Sequence, residues 1–143
     1  VYDNLARGKR ENLAAAMKDP RVMWYEVGGD IQQSDILESA FEGADGVFHF
    51  AALWLLQGHE YPQAAFDVKV GGTFNVLEAC RKKGVKRLVY SSSASVYGDA
   101  LTEPMGEDHP FNNRTFYGAT KIAVEAMLTP YIHRYGCLLY TSD

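Results

Sequence analysis

The chain alternates apolar runs with segments of helical periodicity, and this alternation constrains its fold more than any other feature. The near-continuous apolar run at residues 46–52 predicts a strand buried on both faces of a parallel sheet. From residue 62 to residue 83 apolar side chains recur at steps of three and four, which predicts a long helix with one buried face. Arg87–Ser91 predicts the next strand. Strands joined by helices give right-handed crossovers, so the sequence predicts an α/β fold with a doubly wound parallel sheet.

The remaining segments extend the same pattern. Residues 1–5 resemble the end of a strand, and residues 22–27 predict a short strand followed by a glycine-rich loop. Helices are expected before Lys18, from Ser34 or Asp35 to Gly43, and after Tyr117.

Two features of the predicted helices carry a further expectation. Pro130 should kink or stop the last helix near Thr129, because proline has no backbone N–H to donate. The pair Gly71-Gly72 inside the long helix costs about 1 kcal/mol per glycine relative to alanine, which favours tight packing against a neighbour or a ligand.

Composition excludes several classes of protein. With 143 residues, 47% hydrophobic and 22% charged, the chain has the length and make-up of one globular domain. A net charge of -4 gives no basic surface for nucleic acid, and the longest apolar stretch is half of the roughly 20 residues that span a membrane. Two cysteines form no disulfide framework, which favours a reducing, cytoplasmic location. The four histidines lack metal-ligand spacing, so we expect no metal.

Two segments hold the residues with chemical potential. The strand Arg87–Ser91 ends in the hydroxyls of Ser91, Ser92 and Ser93, and Tyr117 and Lys121 follow four residues apart, on one helix face. An ammonium near a phenol favours the phenolate, which suits acid/base work near neutral pH. Taken alone, the pair also fits a solvated helix face and the serines a turn. Their order along an alternating α/β chain favours the catalytic interpretation.

Other residues are suited to a bound ligand. Asp3, at a predicted strand end, could accept hydrogen bonds from a ribose diol or simply form a turn with Asn4. The small side chains of Ala51 and Ala52 would admit a flat ligand, although core packing explains them equally well. The long polar loop at residues 98–116 lies between the two catalytic segments, so we expect it to border the substrate.

These motifs resemble, in sequence and order, the NAD-dependent epimerase/dehydratase group of the extended short-chain dehydrogenase/reductases. The resemblance runs from residue 1 to about residue 135 and rests on the segments at 1–5, 29–31, 49–52, 91–98 and 117–121. It implies a Rossmann-like fold, an NAD cofactor and a nucleotide-sugar substrate. It also implies a full-length enzyme that is a homodimer.

The resemblance assigns roles to individual residues. Tyr117 is implied to be the acid/base, Lys121 to lower its pKa and hold the nicotinamide ribose, and Ser93 to orient a substrate hydroxyl or carbonyl. The acid at Asp3 favours NAD over NADP, because a carboxylate repels a 2′-phosphate. The implied cofactor-binding residues are Asp3, Asn4, Asp30, Ile31, Phe50, Ala51, Ala52, Tyr117 and Lys121.

The chain departs from the family pattern in four places. No Gly-x-x-Gly-x-x-Gly occurs, so we expect residues 1–136 to form a partial NAD-binding domain without the first strand and its pyrophosphate-binding turn. Lys69 stands where the pattern has Asn. Residues 137–143 do not resemble the family's next strand, and we expect the family's carboxyl-terminal substrate domain to be missing from this chain. We therefore expect that the isolated chain neither folds stably nor binds NAD well, and is inactive.

Two alternatives to a nucleotide-sugar epimerase or dehydratase remain. One is an NAD-dependent alcohol/ketone dehydrogenase or reductase of the same superfamily, which would accumulate NADH. The other is a non-catalytic NAD-binding regulator, against which Ser93, Tyr117 and Lys121 argue and which the charged Lys69 keeps open.

Overall fold

The structure of the chain, a computed structural model, describes residues 1–136 and the backbone of residues 138–142. Its helices and strands alternate along the chain. They are α1 (Ser34–Ala40), β1 (Gly46–His49), α2 (Leu55–Glu60), α3 (Pro62–Phe66), α4 (Thr73–Lys83), β2 (Arg87–Ser91), α5 (Phe116–Tyr135) and β3 (Leu138–Ser142). A π-helical segment, Asp67–Gly72, joins α3 to α4, and 3₁₀ turns form at Arg10–Leu13, Ala16–Lys18 and Ala94–Val96.

The three strands form one parallel sheet in the order β1-β2-β3. Val47 pairs with Leu88 in the first ladder, and Leu88 pairs with Leu139 in the second. The expected α/β architecture with a parallel sheet is therefore confirmed. Residues 138–142 do not resemble the family's next strand in sequence, yet their backbone forms a parallel ladder with β2. Cys137 and Asp143 lie outside the described residues, and the division of the chain at residue 136 stays a prediction.

The core lies between the sheet and the helices that connect its strands. Leu37 of α1, Leu77 of α4, Leu88 of β2 and Val124 of α5 are each at most 2% exposed and belong to one apolar cluster. Burying each such side chain contributes roughly 1.5 to 3 kcal/mol relative to exposing it. This core fixes α4 and α5 against β2, which sets the position of the residues at the carboxyl end of the sheet.

The amino-terminal segments are extended but do not form the predicted strands. Val1 donates its terminal N–H to the carbonyl of Met23 at 2.6 Å, and Tyr25 N–H donates to the carbonyl of Val1 at 2.9 Å. These two bonds join residues 1–5 to residues 22–27, and in the described chain neither segment gains a sheet neighbour that would extend the ladder.

The expectation that the strand at residues 46–52 is buried on both faces is also wrong. The strand itself is shorter, Gly46–His49, and Phe48 within it is 72% exposed. It is an edge strand of the described sheet, so one of its sides has no neighbouring strand.

Three of the predicted helices differ in detail from those in the structure. The helix expected before Lys18 is two short 3₁₀ turns. The long helix at 62–83 contains the π-helical segment, and it ends as predicted at Gly84 in the left-handed conformation, with φ at +69°. Helix α5 does not stop at Thr129 but runs through Pro130 to Tyr135. Tyr131, just beyond the proline, donates a hydrogen bond to Glu78 at 2.6 Å, a tertiary contact that holds the continuing turn.

Candidate active site

The three serines that follow β2 have different surroundings. Ser92 is buried and donates a hydrogen bond to the carboxylate of Glu125 on α5. Ser93 is half-buried and caps the 3₁₀ turn Ala94–Val96, since its Oγ accepts from the backbone N–H of Ser95 at 3.2 Å. The hydroxyl of Ser95 lies 2.9 Å from the same oxygen. Unlike Ser92, Ser93 makes its described hydrogen bonds with Ser95 and not with a carboxylate.

The first turn of α5 brings Tyr117 and Lys121 to this serine loop. The side chain of Thr115 caps the helix by accepting from the N–H of Gly118 at 3.0 Å. A Cβ added at Gly118 would lie 2.5 Å from the carbonyl oxygen of Ser95. Only a glycine allows so close an approach, so the two predicted catalytic segments meet backbone to backbone.

Lys121 is buried at the carboxyl end of β2. It is 3% exposed, and its ammonium donates to the carbonyl oxygen of Ser91 at 2.5 Å. Its Nζ lies 4.7 Å from the ring centroid of Tyr90 and 5.9 Å from that of Tyr117. Burial lowers the pKa of Lys121 to about 8, an effect that the nearby carboxylate of Glu125 opposes. The ammonium of Lys121 is therefore easier to deprotonate than that of an exposed lysine.

Lys69, where the sequence departs from the family pattern, lies at the same site. It is 2% exposed, and its Nζ lies 3.2 Å from the ring centroid of Tyr117. The same ammonium donates to the carbonyl oxygen of Tyr117 at 3.4 Å. Burial lowers the pKa of Lys69 to about 7, and repulsion from Lys121 lowers it further. Two lysines thus flank one tyrosine.

A buried histidine closes the site on the side of β1. His49 is 3% exposed, and its Nε2 lies 2.8 Å from the hydroxyl of Thr73. Burial, with a smaller contribution from Lys121, lowers its pKa to about 4. The ring is therefore neutral near pH 7 and adds no charge. Tyr90, which packs against it, has its pKa raised by burial.

Seven of the residues expected to bind the cofactor line one cavity of about 190 Å³. All seven of them contribute to its wall: Asp3, Asn4, Asp30, Ile31, Phe50, Ala51 and Ala52. The sequence did not single out Arg7, which also lines this cavity and whose guanidinium lies 4.4 Å from the ring centroid of Trp54. A larger cavity of about 340 Å³, near Leu77 and Tyr131, contains none of the predicted site residues.

Close backbone packing forms this cavity. Gly29 has φ at +119°, and a Cβ there would lie 2.4 Å from the carbonyl oxygen of Asp3, so only glycine fits. The hydroxyl of Tyr2 donates to the carbonyl of Asp30 at 2.9 Å, and the side chain of Asn75 donates to the carbonyl of Ile31 at 3.0 Å. The loop is therefore held against both the amino-terminal segment and α4.

The glycine pair in the long helix has two different environments. A Cβ at Gly72 would lie 2.6 Å from the side chain of Ile31, whereas at Gly71 nothing lies within 4 Å. The expected tight packing is confirmed for Gly72, which seats the loop on the helix.

The cavity fits the adenosine part of NAD. Asp3 is exposed at its wall, where a carboxylate can accept hydrogen bonds from a ribose diol. Ala51 and Ala52 are exposed there and leave room for a flat ring. The turn of the fold family that binds pyrophosphate has no counterpart in the sequence.

The described residues form neither a metal site nor a membrane-spanning helix. Among the residues that the structure describes, no group of three His, Cys, Asp or Glu side chains could hold a metal ion. None of the helices in the described part of the chain is long and apolar enough to cross a membrane.

The chain belongs to the NAD-dependent epimerase/dehydratase family, whose model matches residues 2–141. It is 38% identical over 133 residues to the UDP-glucose 4-epimerase of Streptomyces lividans, an alignment that covers 90% of this chain and 38% of the relative. It is 35% identical over 131 residues to the enzyme of that name from Lacticaseibacillus casei, with 90% and 38% covered. The chain therefore spans about 40% of the length of the relatives that it matches.

Solved structures agree with this membership. The UDP-glucose 4-epimerase of Thermus thermophilus, solved with NAD, matches with a TM-score of 0.86 and 34% identity, over 97% of this chain and 44% of that one. A dTDP-glucose 4,6-dehydratase from Streptomyces venezuelae, also solved with NAD, matches with a TM-score of 0.85 and 29% identity, over 94% and 41%. NAD is thus the cofactor of the family.

Proposed function

We propose that this chain supplies the NAD-binding and catalytic part of a nucleotide-sugar epimerase or dehydratase, with Tyr117 as the acid/base. The observation that carries the proposal is the meeting of Tyr117, Lys121 and the serine loop at the carboxyl end of β2. Lys121 joins the two segments directly through its 2.5 Å bond to Ser91. The carboxyl ends of parallel strands are where ligands bind in this architecture.

Each residue has a part in a proton and hydride exchange. Tyr117 Oη takes a proton from a sugar hydroxyl when the sugar carbon is oxidised and returns it on reduction. Lys121 and its positive charge favour the phenolate form that accepts this proton. Ser93 Oγ hydrogen-bonds the reacting sugar oxygen and holds it near Tyr117. NAD, when bound, supplies the acceptor and donor of hydride.

The relatives favour epimerisation of a UDP-hexose over the alternatives. The most similar relatives described above are UDP-glucose 4-epimerases, at 38% and 35% identity, whereas the dehydratase structure is 29% identical. An epimerase reduces its own intermediate, so NAD is regenerated in every turnover. An alcohol or ketone dehydrogenase of the same superfamily would release NADH instead, which makes NADH accumulation the discriminating measurement.

The function is best tested in a chimera in which this chain replaces the aligned stretch of the Streptomyces lividans epimerase. Such a chimera supplies the glycine-rich turn and the substrate domain. We expect it to interconvert UDP-glucose and UDP-galactose without net NADH. Tyr117→Phe should lower turnover by about 10²-fold or more while NAD still binds. If Tyr117→Phe kept turnover within a few-fold of the parent chimera, the acid/base assignment would be wrong.

The isolated chain should behave differently from the chimera. Without the pyrophosphate-binding turn it lacks the backbone donors that hold the two phosphates. We therefore propose that the chain alone binds NAD much more weakly and has no turnover. Calorimetric titration of both proteins with NAD tests this, and equal affinities would contradict it.

The expectations of a cytoplasmic location and a homodimeric enzyme stay predictions. Sedimentation of the chimera measures the second directly.

A further inference from the structure

Lys69 is held at the candidate active site by an unusual stretch of backbone. It lies in the π-helical segment Asp67–Gly72, between α3 and α4, and is 2% exposed. A π-helical turn carries an extra residue relative to an α-helical one, which rotates the following side chains, and such turns are frequent at functional sites. The side chain that this segment buries is a cation.

The contacts that offset the burial of the Lys69 ammonium are with Tyr117. Nζ lies 3.2 Å from the ring centroid and donates to the carbonyl oxygen of the same residue at 3.4 Å. Within residues 1–136 it has no carboxylate at salt-bridge distance, which is 4.0 Å. A cation over the face of a phenol ring is attracted by the ring, and the attraction is stronger where the cation is desolvated. The contact therefore couples the charge of Lys69 to the state of the phenol.

The neighbouring ionisable groups leave this coupling in place. On α5, Lys121 repels Lys69, while Glu125 interacts with Lys121 and is bonded to Ser92. Tyr90 of β2 and His49 of β1 are uncharged near neutral pH, because burial raises the pKa of the first and lowers that of the second to about 4. The adjoining segments also carry the exposed His59 and Glu60 of α2 and the half-buried Asp67 of the π segment itself. On α4, Glu78 pairs with Arg81, and Lys82 and Lys83 pair with Glu38 and Glu42.

We propose that Lys69 is a positioning residue for Tyr117: it holds the phenol ring through its contact with one face and, with Lys121, favours the phenolate. This inference rests on the proposed function, in which Tyr117 is the acid/base. The coupling is reciprocal, since a phenolate stabilises the ammonium of Lys69 as much as the ammonium stabilises the phenolate. The two lysines then share the task that the family pattern assigns to one.

Charge and hydrogen bonding can be separated by the choice of variant. In the chimera, Lys69→Gln keeps an N–H donor for the carbonyl of Tyr117 but removes the charge. Lys69→Met removes both at similar length, and Lys69→Arg keeps the cation. The control is Lys86→Met, because Lys86 is an exposed lysine paired with Asp45.

The readout is the pH profile of kcat/KM. We expect its acid limb to move to higher pH by about one unit in Lys69→Gln and Lys69→Met, because less phenolate forms at a given pH when one cation is lost. Lys69→Arg should restore the parent profile, and Lys86→Met should not change it. KM for the nucleotide sugar should change little, since the described contacts of the Lys69 ammonium are with Tyr117.

A second measurement does not depend on turnover. The ultraviolet phenolate absorbance that the Tyr117→Phe variant loses reports the ionisation of this one tyrosine. It should appear at higher pH in Lys69→Gln than in the parent. If the neutral variants fold and show the parent's acid limb and the parent's phenolate titration, Lys69 is only a packing residue and the inference fails. Failure of the proposed function would be seen instead as an active Tyr117→Phe.

Discussion

Gly118 and Ser95 are in backbone contact: a Cβ on Gly118 would lie 2.5 Å from the carbonyl oxygen of Ser95. The same Cβ would lie 2.1 Å from Oδ1 of Asn113, which itself accepts hydrogen bonds from the N–H and the hydroxyl of Thr115. Neither oxygen can withdraw without breaking the cap of α5 or the serine loop. The absence of a side chain at Gly118 therefore determines how closely Tyr117 approaches the loop that carries Ser93.

Gly118→Ala should separate the two catalytic segments. The added methyl group needs a shift of about 1 Å, and misplacement on that scale can cost about 10²-fold in rate. We expect turnover of the chimera to fall by about that factor while NAD still binds.

The matched control is Gly71→Ala, where the added methyl group meets nothing within 4 Å. It lies in a helical segment, so it should keep full turnover and gain up to about 1 kcal/mol of stability. Gly118→Ala with parent turnover would mean that the contact does not position the catalytic groups.

The two serines beyond the end of β2 should differ in what their loss changes. Ser93→Ala removes the hydroxyl proposed to bind the sugar oxygen, so turnover should fall by about 10²-fold, and loss of the cap on Ala94–Val96 should cost about 0.5 to 2 kcal/mol of stability. Ser92→Ala leaves Glu125 partly buried without its hydrogen bond, so it should cost about 1 to 3 kcal/mol of stability. Steady-state kinetics and thermal unfolding of both variants make the comparison. If Ser92→Ala had the larger effect on turnover, the assignment of roles would be reversed.

The sequence indicated which residues have chemical potential, but it did not indicate which segments pair as strands. Seven of the predicted cofactor-binding residues line one cavity, and their role in binding NAD stays a prediction. The position of Lys69 depends on a π-helical segment that no pattern in the sequence predicts. The segment at residues 22–27 has a strand's composition but lacks a sheet neighbour, and residues 138–142 lack a clear pattern but find a partner in β2. Whether each segment forms a strand therefore depends on whether a neighbouring strand is present to pair with it.

Asp3 should set the preference for NAD over NADP. Its Oδ1 accepts a hydrogen bond from the N–H of Leu5 at 2.7 Å, so Asp3→Asn can keep the turn while removing the charge. We expect NAD to bind about tenfold more weakly, because hydrogen bonds to a charged group contribute about 1.5 to 3 kcal/mol. NADP should bind more tightly than to the parent, since repulsion of the 2′-phosphate is lost.

Titration of the chimera with each cofactor tests this preference. Asp19→Asn is the control, because Asp19 is paired with Arg21 and does not line the cavity. An unchanged ratio of the two affinities in Asp3→Asn would remove Asp3 from the ribose site.

The buried lysines should make stability rise with pH. Burial lowers the pKa of Lys69 from 10.5 to about 7 and that of Lys121 to about 8. Between those values and about pH 10 the unfolded chain binds more protons than the native one, so the free energy of unfolding increases with pH in that window. Each lysine contributes a slope of at most about 1.4 kcal/mol per pH unit.

Lys69→Met isolates this contribution. Below about pH 7 the variant should be more stable than the parent, because it no longer buries a charge, and the difference should shrink as the pH rises toward about 9. Unfolding midpoints of the two chimeras, measured across that range, give the difference at each pH. Lys86→Met should show no such trend, because the pKa of Lys86 is raised by Asp45 and its side chain is exposed. Parallel curves for Lys69→Met and the parent would show that Lys69 keeps its ordinary pKa and hence that the native protein does not desolvate its ammonium.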